Sequence, residues 1–538
     1  MADNFKTINQ EFLDRYNRAK NRSGMYRHEH EAIRKYLRPN TLGFYEAMSS
    51  HKTQGDRRTE QLTDSTALWA LDTLASGLYA HILDPSDRWF SLGVKGIPFT
   101  QLSFEMQAYL EDVSEKIFTV FADPRSRFAQ ASKEMLLDLC AYGTGVMLNE
   151  WDSDMKLPYF RAYPLSAVHI DEDHRGMVNV VARDFPMTKA QIEGQFPDAV
   201  FTDSIEKENE DFSYIVTHLV DPIEAHTEKV DTKKDFVSTY FIESENLVLR
   251  QKGYDRFPYK VPRWSTLAGE VYGRGPGNIA MPDIRLLNVM YRELVQSAQL
   301  ANRPPMFVDD DGYLLPISYV PAAINFKTPG TTAPETLRMG SSFNITLEVM
   351  NQKREQIAKT FHVDWLLRNR KRERQSILEI QDDRTEMLRQ LSSVVGRFES
   401  ECASPLIEDT YFHLDRAGLL PEAPVEGVPL EVAFTSPAAK AQLSSKAANI
   451  MQFLNDVSAY RAIDPSITDG IDTASLGQEL ATLREAPKRI LKSQEQIQQT
   501  KQERDQMAAQ TANAQNAAAL AGALKDTAAA QAQGLGQI

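Results

Sequence analysis

Apolar residues recur at helical spacing at Phe5, Ile8, Phe12 and Tyr16, which predicts a helix at the start of the chain. A second helix is predicted from Asp64 or Ser65, both good N-cap residues, through Leu68, Leu71, Leu74 and Leu78, with DPSDRW as its stop. Glu105 to Phe121 and Ser132 to Tyr142 read as two more. Between Val146 and about Trp264 the period shortens. Runs such as VMLNEW, YFRAYP, MVNVVARDF, YIVTHLV and DFVSTYFIES, separated by Asp, Gly, Pro and Asn turns, predict an antiparallel, β-rich insert with one short helix near Thr188 to Gln195.

The second half returns to helical spacing with one interruption. Ile284, Leu287, Tyr291, Leu294 and Ala298 form a stripe behind Pro282, which is placed near the first turn of its helix. Residues 304 to 345 are short, Pro- and Gly-rich and strand-like. A second helix follows with Met350, Ile357, Phe361 and Trp365 on one face. The two helices bracketing the module carry Arg285, Asn288, Arg292 and Gln296, and Gln352, Lys353, Gln356 and Lys359, on their far faces, too polar for a closed core and suited to packing beside copies of the same chain. A long pattern then runs through Ile380, Met387, Leu391, Val394, Phe398 and Cys402, with a kink expected at Pro405. A Pro-rich connector and the strand EVAFT precede a helical end rich in Gln and Ala.

Charge changes this picture at one place. The 538 residues hold 74 Asp and Glu against 60 Lys and Arg, a formal net charge of −14. Such a chain does not coat nucleic acid, because non-specific affinity comes from neutralising phosphates. Yet RNRKRER sets Arg368, Arg370, Lys371, Arg372 and Arg374 at the junction between two helical patterns. A solvated helix end and a nuclear-localisation signal are the plain readings of a basic run. The junction and the arginine content favour contact with phosphate, which the guanidinium fork binds bidentately.

Enzyme signatures are missing from the sequence. There is no Gly-Lys pair and so no phosphate-cradling GxxxxGK[ST] loop, no G-x-S-x-G elbow and no H-E-x-x-H pair. YGRGPGN, Tyr272 to Asn278, reads as a conformational joint. His28 and His30 lie two apart and point to different helix faces, so they cannot share an ion. Asp171 and Asp173 before Gly176, and Asp309, Asp310 and Asp311 before Gly312, read as turns, the second also as an acidic docking patch. Cys140 and Cys402 are the only cysteines, which fits a reducing compartment. No segment reaches the ~18 apolar residues of a membrane span, and no apolar signal core opens the chain. No enzyme, cofactor or metal is expected. Two other classes stay open on the residues alone: a metal-dependent DNA-processing enzyme using Asp309 to Asp311, and a coiled-coil scaffold or adaptor.

Taken in order, DSTALWALDTLASGLYAHILDPSDRWFSL (from Asp64), LCAYGTGVMLNE (from Leu139), GEVYGRGPGNIAMPDIRLLN (from Gly269) and EMLRQLSSVVGRFESECASPLIEDTYFHLDRAGLLP (from Glu386) resemble the head-to-tail connector, or portal, proteins of short-tailed bacteriophages. The resemblance covers most of the chain and implies an α+β portal fold. Residues 1–281 would be the wing with its β-rich insert at about 146–264, 282–302 and 346–366 the two stem helices, and 303–345 the clip. Residues 367–376 would be the tunnel loop, 377–435 the long wing helix and return strand, 436–486 the crown, and 487–538 a helical barrel or partly disordered tail. The long helix starts Gln375, Ser376, Ile377, Leu378, Glu379, where many relatives have a Thr-Ala-Thr-Glu-like start.

The resemblance also implies a homo-oligomeric ring, usually a dodecamer, at one capsid vertex of the virion, assembled in the host cytoplasm. Double-stranded DNA would pass through its channel without being read, and no membrane is involved. The clip, with Asp309, Asp310 and Asp311, would dock terminase and later tail adaptor proteins, and the ring would also meet capsid and scaffolding proteins. The five basic residues of 368–374 would face DNA in the tunnel.

Overall fold

The computed structural model describes residues 7–45, 62–83, 88–97, 99–226, 234–302, 343–364, 391–425, 430–434 and 437–460, together with isolated positions elsewhere. It is a mixed helix and strand protein whose chain divides into two units, Met1–Trp89 with Lys116–Leu420, and Phe90–Glu115 with Pro421–Ile538.

The first unit is built on a five-stranded antiparallel meander of β4 (Val168–Glu172), β5 (Val178–Thr188), β6 (Ser213–Pro222), β7 (Phe236–Ile242) and β8 (Leu247–Tyr254), in that spatial order. Both faces are covered, so β6 alternates between two buried environments rather than between core and water. Tyr214 and Val216 join Ile192 of helix α5 (Lys189–Gln195) and Ile205 of α6 (Asp203–Lys207) in one cluster. On the other face Leu219, Val237 and Phe241 pack with Phe12 and Tyr16 of α1 (Gln10–Leu37). The short helix expected near Thr188 to Gln195 starts in a capping box formed between Thr188 and Gln191.

The α1-side core holds a buried polar knot. Asp184 accepts hydrogen bonds from Tyr16 Oη (2.9 Å) and Thr217 Oγ1 (2.7 Å), and His169 Nε2 lies 3.2 Å away. Burial alone would raise the carboxyl pKa, but these partners, His169 foremost, hold it below the ordinary value. One side chain thereby ties α1 to β4, β5 and β6.

Each edge of the sheet takes a contact from another segment. Thr7 forms a bridge with Leu247 of β8, and the Ile8 N–H donates to Asn246 Oδ1 at 3.3 Å. At the far edge the Ile170 N–H of β4 donates to the hydroxyl of Tyr272 at 3.1 Å. A smaller sheet sets β2 (Met147–Asp152) between β3 (Leu157–Ala162) and β9 (Tyr259–Lys260).

The remaining helices of this unit are α2 (Thr66–Ile82), α4 (Phe128–Tyr142), α7 (Pro276–Asn302) and α8 (Phe343–Thr360), then α9 (Ser392–Phe398) and α10 (Ser404–Arg416), separated by a π-helical turn at Glu399–Ala403. The α2 stripe is as predicted, with Leu71, Leu74 and Leu78 buried. Its cap is divided: Ser65 occupies the N-cap position, while Asp64 Oδ1 accepts the Thr66 N–H at 2.9 Å. Two boundaries differ from the sequence reading. α4 opens at Phe128, four residues before Ser132, and α7 opens at Pro276, so Pro282 lies inside the helix rather than in its first turn. Pro276 already supplies the fixed φ and the missing donor that a helix start tolerates.

The second unit contains a two-stranded antiparallel sheet, β1 (Phe90–Val94) on β10 (Leu430–Phe434), the N-terminal part of α3 (Phe104–Ala122), and α11 (Pro437–Tyr460). EVAFT is a strand as expected. Its partner was missed, because FSLGV is short and lies some 340 residues upstream.

Candidate functional site: the seat of the helix pair and the long helix

The described elements leading into both candidate segments singled out in the sequence are held to the body by buried polar contacts. α7 and α8 are seated on the start of α2. Asn288 Oδ1 accepts the N–H groups of Thr63 (2.8 Å) and Asp64 (3.1 Å), while its Nδ2 donates to the Ile284 carbonyl at 2.8 Å. Asp64 Oδ2 accepts Arg354 Nε (3.0 Å) and Nη2 (2.8 Å), and Lys353 Nζ reaches Asp283 Oδ1 at 2.8 Å. Burial would raise the Asp64 pKa, yet its bonds to Thr66 and Arg354 hold it below the usual range. Asn288 therefore does not lie on an exposed far face. It is 1% exposed, since its amide satisfies backbone groups of another segment, which no periodicity reports. Arg285, Arg292 and Gln296 are exposed as expected.

The glycine-rich YGRGPGN is locked rather than hinged. Gly143 ends α4 with a left-handed φ of 81°, and a Cβ on it would meet the Arg274 backbone carbon and the Gly275 nitrogen at 2.5 Å. The Gly143 carbonyl accepts the Trp264 N–H at 2.8 Å, Thr144 Oγ1 accepts the Gly273 N–H at 2.8 Å, and Asn278 Nδ2 donates to Glu29 Oε1 at 2.7 Å. At Gly277 a Cβ would fall onto the Ala141 carbonyl oxygen. The glycines serve close backbone approach between the end of α4 and the start of α7.

His30 lies beside this lock, ringed by Tyr26, Phe44, Tyr142 and Tyr272 with ring centroids 5.3 to 5.8 Å away. Burial, aided by the Arg274 charge, pushes its pKa down to about 3. The unfolded chain takes up this proton near the ordinary value of 6.5 and the fold refuses it, so stability present above that value is lost as pH falls towards 3. His30→Phe is expected to retain about 3 kcal/mol more of its pH 7 unfolding free energy at pH 4 than the parent. Urea unfolding at both pH values checks this, and parallel losses in the two proteins would contradict it.

The long helix is clamped from the other side. Arg263, 3% exposed, donates Nη2 to Glu401 Oε1 (2.7 Å), Nη1 to Glu172 Oε2 (2.8 Å) and Nη1 to the Val271 carbonyl (3.2 Å). Burial works against its charge, but Glu401 and Glu172 together raise its pKa above the ordinary value. About two turns on, buried Lys260 pairs with Asp409, and Arg256 reaches Glu408 at 3.1 Å. Glu401 belongs to the π-helical turn preceding Pro405. Pro405 has no N–H for the Glu401 carbonyl, and the helix is interrupted by this widened turn just before the proline.

The named candidates are distributed as follows. Arg368, Arg370, Lys371, Arg372 and Arg374 lie outside the described residues, as do Asp309, Asp310 and Asp311 and the whole of 367–376. Described chain borders them: α7 ends at Asn302, and residues up to 364 and from 391 flank the basic stretch. Asp173 is a turn residue as read, its Oδ1 accepting the Arg175 and Met177 N–H groups at 2.8 and 2.9 Å. Both cysteines are buried thiols whose pKa burial raises, Cys402 to about 12. Among the described residues no group of three or more His, Cys, Asp or Glu could hold a metal, and no helix is long and apolar enough to cross a membrane. Sequence reasoning missed Arg263, Glu172 and Glu401. The one available signal is that Arg263 stands in the apolar run KVPRW.

Buried polar contacts and close glycine contacts thus brace the helix pair against α2 and α4, and Arg263 ties the long helix to β4. The family model for the bacteriophage head to tail connecting protein matches residues 9–491, and the chain belongs to that family. The "Probable portal protein" of Bordetella phage BPP-1 is 27% identical over 461 residues, covering 82% of this chain and 81% of its own length. The "Portal protein" of Salmonella phage epsilon15 is 24% identical over 484 residues, covering 86% and 85%. A chain from the virion of a native gene transfer agent particle aligns over 75% of this chain and 90% of its own at 10% identity, with a TM-score of 0.36, too loose to place any element.

Proposed function

We propose that this chain is a portal subunit that assembles into a ring, a dodecamer, at one vertex of a phage capsid, where double-stranded DNA is packaged and ejected through the ring's channel. The observation that carries this reading is the family match over residues 9–491. The finer division is supported by the chain order of α7, the segment 303–342, α8, the basic stretch and the long helix. On it, residues 1–281 are the wing, 282–302 and 346–366 the stem, 303–345 the clip and 367–376 the tunnel loop. Residues 377–435 are the wing helix with its return strand, 436–486 the crown and 487–538 a helical barrel or a partly disordered tail.

The mechanism is physical. A net charge of −14 per subunit gives the ring a predominantly negative field, which keeps the DNA backbone from adhering as it slides. Arg368, Arg370, Lys371, Arg372 and Arg374 would supply the opposite sign at one level, touching phosphates without reading bases. The clip, with Asp309, Asp310 and Asp311, would dock terminase during packaging and tail adaptors afterwards, and capsid and scaffolding proteins would surround the ring in the virion. Negative-stain images of the purified protein should show rings with a central hole. Neutralising the five basic residues is expected to leave those rings intact and to lower the yield of DNA-filled heads in a packaging assay. An unchanged yield would sink the tunnel-loop reading.

A further inference from the structure

We propose that the exposed face of α7 in one copy packs against the exposed face of α8 in the next, matched by two ion pairs, Arg285 with Glu355 and Arg292 with Glu348. The proposal rests on the portal reading, which supplies identical copies side by side. Leu286, Val289 and Leu300 on α7 are 44%, 45% and 39% exposed, and Ile345 on α8 is 64% exposed. These side chains stand opposite the stripes, Ile284 and Leu287 on α7 and Met350 and Ile357 on α8, that the subunit itself buries. Arg285, Arg292, Glu348 and Glu355 are exposed beside them, and none has an ion-pair partner among the described residues. A second copy covers apolar surface on both helices and pairs all four charges.

The register supports this occupant. Seven residues are close to two helical turns, so Arg285 and Arg292 share one face of α7, as Glu348 and Glu355 share one face of α8. Among the described residues, burial is confined to the first half of α7, Pro276 to Asn288, and to Met350 and Ile357 towards the end of α8, and Asp283 meets Lys353 between these halves, the arrangement of two helices running in opposite directions. With equal spacings, an antiparallel α7 and α8 bring both Arg–Glu pairs into step at once. The Asp283 to Lys353 contact fixes the level of the two helices within a subunit. Copies related by rotation about a ring axis keep that level, which leaves each pair offset by about one turn, ~6 Å along the helices, within reach of an extended arginine. The surfaces are different on the two partners, as a closed ring requires.

Three variants of the full chain test this: R285E/R292E, E348R/E355R, and the quadruple variant carrying all four changes. All four sites are exposed, and circular dichroism should show each variant folded like the parent. The parent should form rings in negative stain, each double variant should lose roughly tenfold or more of its ring yield, and the quadruple variant should recover it. Double variants that form rings at parental yield, or a quadruple variant no better than the doubles, would overturn the pairing while leaving the portal reading in place. A parent that forms no ring would overturn the portal reading, and the pairing with it.

Discussion

Replacing Arg263 by alanine is expected to lower the unfolding free energy of the chain by about 3–5 kcal/mol, the usual cost of removing one partner from a buried ion pair. The side chain is 3% exposed and serves Glu401, Glu172 and the Val271 carbonyl together, so its loss strips Glu172 of this partner and leaves Glu401 with the looser contact of Arg397 at 3.9 Å. Arg263→Lys keeps the charge but not the fork, and should fall between parent and alanine variant. Urea denaturation followed by tryptophan fluorescence reads the difference. An alanine variant within about 1 kcal/mol of the parent would mean that the carboxylates find other partners or take up protons.

Gly277→Val is expected to be at least as damaging, by a different cause. Even a Cβ would collide with the Ala141 carbonyl and come 2.9 Å from Leu37 Cδ1, and the obstruction is backbone, which cannot rotate away. Forcing groups into packed interiors costs about 1–3 kcal/mol where side chains can yield, and more where they cannot. We expect Gly277→Val to yield little folded protein and Gly277→Ala to melt several degrees below the parent. Gly194→Ala is the control: nothing lies within 4 Å of a Cβ there, and alanine in a helix gains about 0.5–1 kcal/mol over glycine. Equal melting temperatures for Gly277→Ala and Gly194→Ala would refute the lock.

The contrast between these sites shows what was legible in the residues. Helices with one apolar stripe, such as α2 and the first half of α7, could be read directly, because burial there follows local spacing. The β-rich insert was legible through its short runs and turn residues. Arg263 was not, since a lone charge in a loop reads as solvated until Glu172 and Glu401, 91 and 138 residues away, are seen to enclose it. Asn288 was misplaced for the same reason. YGRGPGN was recognised as special but read as movable, because glycine permits flexibility and close approach alike, and only the neighbour across the contact decides between them. The basic segment 368–374 and the acidic segment 309–311 lie outside the described residues.

The contacts at the sheet edges have a consequence for how identical copies meet. A strand edge left open will accept any strand, including the same one from another molecule. Here Thr7 bridges Leu247 at the start of β8 and the Tyr272 hydroxyl takes an N–H on β4. Those positions are already taken when a second copy arrives, so strand addition there would first have to displace a contact made within the chain.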